Sequence, residues 1–383
     1  MKKSGLFFLL TITILLVTTG SLFGTETNSN NIIADVINVQ KYNRSIHVMA
    51  MLLVGFGFLM VFVRKYGRSA LTATFLLVSV AIPMYFIVTG GTEGNIDKLI
   101  LAEFGAAALL ICAGSVLGRL KMIQYILLAL LFIPCYAFNE WIVLFGGFGL
   151  IGKEVFIDAG GSIVIHSFGA LFGLGAIFSL TTKKEYETTV ESDETSDRYS
   201  LLGSMVLWIF WPSFCAALVA PADIPITVIN VVLSLCGATI ATYFASSFFR
   251  KKVSVEDIAN AALAGGVAIG STCNLTTPTI AFIIGIAAGT LSTFGFAVLK
   301  EKIQKLIKKT DTCGVLYLHG LPGLLGGLSA LVVVKSVNPS AQIFGIVITI
   351  ILALVSGLIV GKIVTILGRV SIPYEDAEEL EVE

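Results

Sequence analysis

Apolar runs of membrane-spanning length recur along the whole chain, and no other feature limits its fold so tightly. A hydrocarbon core about 30 Å thick takes about 20 apolar residues per helix. Eleven such runs lie near 45-63, 69-89, 98-118, 122-147, 158-181, 200-219, 224-249, 257-273, 278-299, 311-334 and 341-367. Of the 383 residues 56% are hydrophobic and 13% charged, against about 25% charged in soluble domains. Lipid is therefore the expected solvent, and the fold class expected is an all-α integral membrane protein. No basic face of the kind nucleic acid requires is present.

Ahead of the first run, Met1-Lys2-Lys3 leads into an apolar stretch, Leu6 to Val17, then small residues to Gly24. That order reads as a signal peptide over 1-24, or alternatively as an uncleaved extra helix. With the mature N-terminus outside, 18 Lys and Arg residues fall on inner loops and helix ends, among them Arg64, Lys65, Arg250, Lys300 and Arg369. Five fall outside: Lys41, Arg44, Lys98, Lys153 and Lys335. The bias of basic residues toward the cytoplasm then puts the C-terminus inside, in a bacterial inner membrane. The Glu- and Lys-rich segment 182-200 and the acidic tail 371-383 read as solvated surface. Six scattered cysteines show no CxxC spacing and read as small apolar side chains.

An internal repeat organises the rest. DAGGSIVIH runs from Asp158 to His166 and DTCGVLYLH from Asp311 to His319. Each has Gly three positions and His eight positions after Asp. One copy lies on the fifth run and one on the tenth, so the two insert in opposite directions. Inverted halves near 45-181 and 200-334, plus an eleventh helix near 341-367, make one membrane domain over 25-370, and such repeats place substrate sites near the midplane. Eight helical residues descend about 12 Å, which carries both histidines toward the bilayer centre. A histidine there is costly unless it works. Two facing neutral imidazoles, each with one donor and one acceptor, suit a solute that sheds a proton to cross, namely ammonium passing as ammonia. His47, at the outer end of the first run, has no counterpart in the repeat and reads as structural or interfacial.

Asp158 and Asp311 admit two readings. Each is a favourable helix N-cap, and Asp158 also faces the outer mouth, where a carboxylate favours an approaching cation. Gly-rich stretches such as 262-270 and 320-327 permit close helix packing in lipid and carry no phosphate-binding pattern. An enzyme built on the His and Asp set lacks HxxxH or HExxH spacing and a third soft ligand, so no catalysis and no metal are expected.

Four segments carry a family resemblance: DAGGSIVIHSFGALFG (158-173), LGSMVLWIFWPSF (202-214), IANAALAGGVAIG (258-270) and DTCGVLYLHGLPGLLGG (311-327). Through them the chain resembles, from about 40 to 370, the Amt/Mep/Rh superfamily of ammonium transporters, and within it the Rhesus branch. The resemblance implies the ammonium transporter fold, a homotrimer with one narrow pore per subunit, and no cofactor. His166 and His319 match the family's twin pore histidines, and Asp158 its vestibule-supporting carboxylate. Phe104, in LAEFGAAA, and Phe214, ending WPSF, match the stacked rings of the outer gate, although either ring alone reads equally as core or lipid-facing. The Amt branch adds a Trp shortly before the aspartate and a Ser four positions after the second gate Phe. Here Trp141 falls too early and Leu218 takes the Ser position, which implies lower-affinity conduction of net ammonia. A carbon dioxide channel and an ammonium sensor are the alternatives.

Overall fold

A computed structural model describes residues 32–91 and 95–381; the signal-peptide reading of 1-24 lies outside them. By packing, the described residues from Gln40 onward form one unit, which holds every contact discussed below.

Eight helices among the described residues are long and apolar enough to cross a membrane. They are α1 (Ala34–Phe62), α2 (Gly67–Thr89), α4 (Met122–Val143), α5 (Ser162–Leu180), α7 (Pro221–Arg250), α9 (Pro278–Ile307), α10 (Leu316–Val333) and α11 (Pro339–Leu367). The apolar runs near 98-118, 200-219 and 257-273 are helical as well. They form α3 (Ile96–Ser115), α6 (Glu194–Cys215) and α8, which comes in two pieces, Val255–Ala261 and Ala264–Ile269. All-helical architecture follows from the solvent, because a helix satisfies its own backbone where water is absent. Outward positions stay apolar, as at Phe75, Phe244, Phe248 and Val332.

Small residues set the closest crossings. A Cβ at Gly285 of α9 would lie 2.0 Å from the Ser234 carbonyl oxygen of α7, and one at Gly357 of α11 would lie 2.1 Å from the Phe172 oxygen of α5. These helices therefore pack backbone to backbone.

Two stretches read as solvated surface are mostly exposed or half-buried, and each is also tied to the bundle by hydrogen bonds. In the acidic tail, Tyr374 is buried and its amide donates to the Gly118 carbonyl at 2.8 Å. Asp376 accepts from the Ser69 amide at 2.8 Å, capping the start of α2, and Glu379 accepts from the Met122 amide at 3.2 Å at the start of α4. Its carboxylates satisfy free N–H groups at helix starts. In the segment 182-200, Asp193 caps α6 through the Ser196 amide at 2.8 Å, and Arg64 donates its amide to Glu191 O at 2.9 Å.

Candidate functional site

The repeat motif becomes one local structure built twice. After Asp158 and Asp311 the chain turns through Gly161 (φ +73) and Gly314 (φ +69), left-handed conformations that glycine adopts without a Cβ penalty. Both glycine amides donate back to the aspartate carbonyl, at 3.0 and 3.2 Å. The aspartate side chains then fold over the helix that begins beyond the turn. Asp158 accepts from the amides of Ile163 and Val164 and from the Ser271 hydroxyl at 2.6 Å. Asp311 accepts from the amides of Val315 and Leu316 at 3.1 and 3.0 Å. The first turns are π-helical in both copies, Ser162–Ser167 and Leu316–Gly320, and each holds its histidine. Such π turns are rare and cluster at functional sites. The helices thus start four or five residues later than the spacing suggests, because the aspartates stand outside them as caps.

Both histidines are buried and they meet. Their Nδ1 atoms lie 3.3 Å apart, and the rings are nearly parallel with centroids 5.3 Å apart. At that separation one Nδ1 carries the hydrogen and the other accepts it. The Nε2 of His166 has no hydrogen-bond partner among the described residues.

Aromatic rings continue the column on both sides. Phe104 and Phe214 touch, centroids 4.6 Å apart and tilted at 46°, and both are buried. Phe214 lies 6.0 Å from His166, while Trp211 stacks on His166 at 5.5 Å. Beyond His319, Phe56 stacks at 6.2 Å from a π turn of α1, Met51–Phe56. The order from one end is Phe104 with Phe214, then His166, His319 and Phe56.

The Phe104 end of this column opens on the first of two cavities. One, of about 730 Å³, is lined by Phe104, Asp158, Glu140 and Leu218. The other, of about 340 Å³, is lined by Phe62, Asp311, Glu256 and Lys300. Residues at the start of α6, Asp197 and Ser200, face the second, whereas Leu218 to Ala220, just past its end, face the first. The cavities therefore lie at opposite ends of a 22-residue helix, about 33 Å apart at the helical rise. Asp158 and Asp311 belong to opposite mouths, so α5 and α10 enter from opposite sides.

The structure brings the two predicted histidines together and the two phenylalanines together and sets the two aspartates at opposite mouths; sequence reasoning missed four further side chains. Trp211 and Phe56, which flank the histidines, look like any other apolar residue in an apolar helix. Glu140, buried on α4, accepts from Tyr85 at 2.5 Å and from Tyr136 at 3.2 Å and lines the Asp158-side cavity. Glu103, buried next to Phe104, accepts from the Ser45 hydroxyl at 2.5 Å. A carboxylate inside an apolar run is itself a signal, and both glutamates carried it. Trp141 stands 42% exposed, packed on Phe148 rather than on the column.

Polar caps at opposite sides of a helical bundle, with a buried column of histidine and aromatic side chains between them, are an arrangement suited to a membrane transport protein. The Ammonium Transporter Family model matches residues 6–382, and the chain belongs to that family, on its Rh-type branch. It is 33% identical over 379 residues to ammonium transporter Rh type A of Bos taurus, covering 92% of this chain and 86% of that protein. It is likewise 33% identical over 381 residues to ammonium transporter Rh type C of Rattus norvegicus, covering 88% and 75%. Among solved structures, Nitrosomonas europaea Rh50, described as a channel of the Rhesus protein family, superposes with TM-score 0.89 at 50% identity, covering 91% of this chain and 93% of that one. A sensor Amt protein shares the fold, with TM-score 0.79 at 19% identity over 92% and 98%.

Proposed function

We propose that the chain conducts ammonia across the bacterial inner membrane along the column from Phe104 to Phe56. Ammonium sheds its proton in the Asp158-side cavity, which is the outer vestibule, and regains one in the Asp311-side cavity. The observation that carries this reading is the pair of buried, nearly parallel imidazoles 3.3 Å apart at Nδ1, flanked on both sides by aromatic side chains. A neutral pair of such rings presents both a donor and an acceptor to ammonia. A potassium ion has no proton to surrender, so a column of this kind rejects it.

The remaining assignments draw on the same geometry and on what the family resemblance implies. Phe104 and Phe214 close the floor of the outer vestibule, and a passing molecule must part them. Asp158 and Asp311 act through the backbone they cap: their oxygens are occupied by amide and hydroxyl donors. Each fixes the π turn that aims a histidine. Leu218 lines the vestibule where a hydroxyl would coordinate a cation, which favours low-affinity passage of the neutral species. The excess of basic residues on the Asp311 side supports a cytoplasmic position for that mouth. The chain assembles as a homotrimer with one path in each subunit, and no cofactor takes part.

Stopped-flow recording of internal pH in proteoliposomes tests the substrate. An ammonium gradient should alkalinise the lumen faster than in empty liposomes, while a carbon dioxide gradient acidifies both at the same rate. Acceleration for carbon dioxide without acceleration for ammonia would replace this reading with a gas channel.

A further inference from the structure

The two rings of the outer gate are held from behind by one helix. Glu103 directly precedes Phe104 on α3, and Ser213 directly precedes Phe214 at the end of α6. Each of these polar neighbours pairs with α1: the Ser45 hydroxyl donates to Glu103 at 2.5 Å, and His47 Nδ1 pairs with the Ser213 hydroxyl at 2.9 Å. The His47 ring also stacks on Phe210, one turn before Phe214, at 4.9 Å. Two residues apart on a helix means about 200° around its axis. Ser45 and His47 therefore point to different neighbours, and α1 sits wedged between α3 and α6 at the level where Phe104 meets Phe214.

Two facts argue against plain packing. Ser45 and Glu103 are both buried, and an apolar pair would fill that contact without the expense of a carboxyl group inside the span. On the other side, Pro212 removes an amide from the last turn of α6, which ends at Cys215. That turn lacks a backbone hydrogen bond just where Phe214 projects, and the pairing of Ser213 with His47 supplies an outside hold.

We propose that Ser45 and His47 are positioning residues that fix the spacing of the gate rings, and so decide how large an amine the path admits. The inference rests on the gate reading of Phe104 and Phe214 given above. With both ties intact, α3 and α6 part only enough for ammonia. Without them the rings separate more readily, and a methyl group passes at a smaller penalty.

The test is the ratio of methylamine to ammonia flux, measured by stopped-flow pH recording on one batch of proteoliposomes for each variant, so that differences in yield cancel. In Ser45→Ala/His47→Leu the ratio should rise about five-fold, equivalent to about 1 kcal/mol. Ser45→Thr, which keeps the hydroxyl, and Glu103→Gln, which keeps an acceptor for it, should stay near the wild-type ratio. Phe214→Ala tests the gate separately and should also raise the ratio. An unchanged ratio in the α1 double variant beside a raised one in Phe214→Ala would overturn the proposal and leave the gate standing. No change in either would overturn both.

Discussion

Asp158 shows how one side chain can organise its surroundings without standing as a free charge. Its two oxygens accept from Ile163, Val164 and Ser271, so its carboxylate organises the turn and π-helical start that carry His166. Asparagine has the same shape but offers one acceptor oxygen and turns an NH2 group toward these donors. Asp158→Asn should therefore cost about 2 kcal/mol of stability, read as a lower melting temperature in detergent, and should slow ammonia flux with it. A variant of unchanged melting temperature whose flux still collapses would assign the carboxylate a direct part in conduction. The sequence showed the Asp, Gly and His of the repeat because their spacing is periodic. It could not show that aspartate oxygens reach amides four to six residues on, since that depends on Gly161 and Gly314 standing at positive φ.

Among the helices, composition decides which contacts are legible in the sequence. Apolar runs located the helices because the bilayer requires about 20 such residues wherever the chain crosses. What they hide is the partner of each face: an apolar side chain fits lipid and protein alike, so Trp211 and Phe56 carried no mark while Phe75 and Phe244 face outward. The first turns of α5 and α10 also escaped, because the π form has no composition of its own. Glycine is the better guide, since it is required where backbones touch. Gly285→Ala puts a methyl group where 2.0 Å separates it from the Ser234 oxygen, and α7 and α9 must move apart. That overpacking costs at least about 1–3 kcal/mol, so little folded protein should survive extraction, whereas Ile286→Ala, next along the same helix but exposed, should extract normally. Equal yields would mean that the crossing has slack.

At the scale of the whole molecule the fold explains why the two cavities differ in character. The chain places one Asp–Gly–His unit at each end of the bundle and lets the two histidines meet between them. The cavity on the Asp158 side is the larger and is bounded by Glu140, Asp158 and Asp223; the other carries Glu256 and Lys300, paired at 2.5 Å, under the segment from Tyr186 to Ser192. That segment and the acidic tail read as solvated surface in the sequence, since charge alone does not show which side chains also cap helix starts. Only the three-dimensional arrangement, with the Tyr374 amide on Gly118 and Asp376 on the first turn of α2, shows that they close the same face of the bundle. Across all three scales the account turns on the meeting of His166 and His319. The direct measurement is ammonia flux into proteoliposomes holding wild type, His166→Leu or His319→Leu, with the ammonium-evoked current recorded on the same vesicles. Each substitution removes a hydrogen-bonding ring from the centre of the path. Flux should fall at least about ten-fold, as the loss of about 1.4 kcal/mol at the barrier requires, or charge should begin to move with the solute, while the assembly survives intact. Unchanged flux together with unchanged current in both variants would contradict the account.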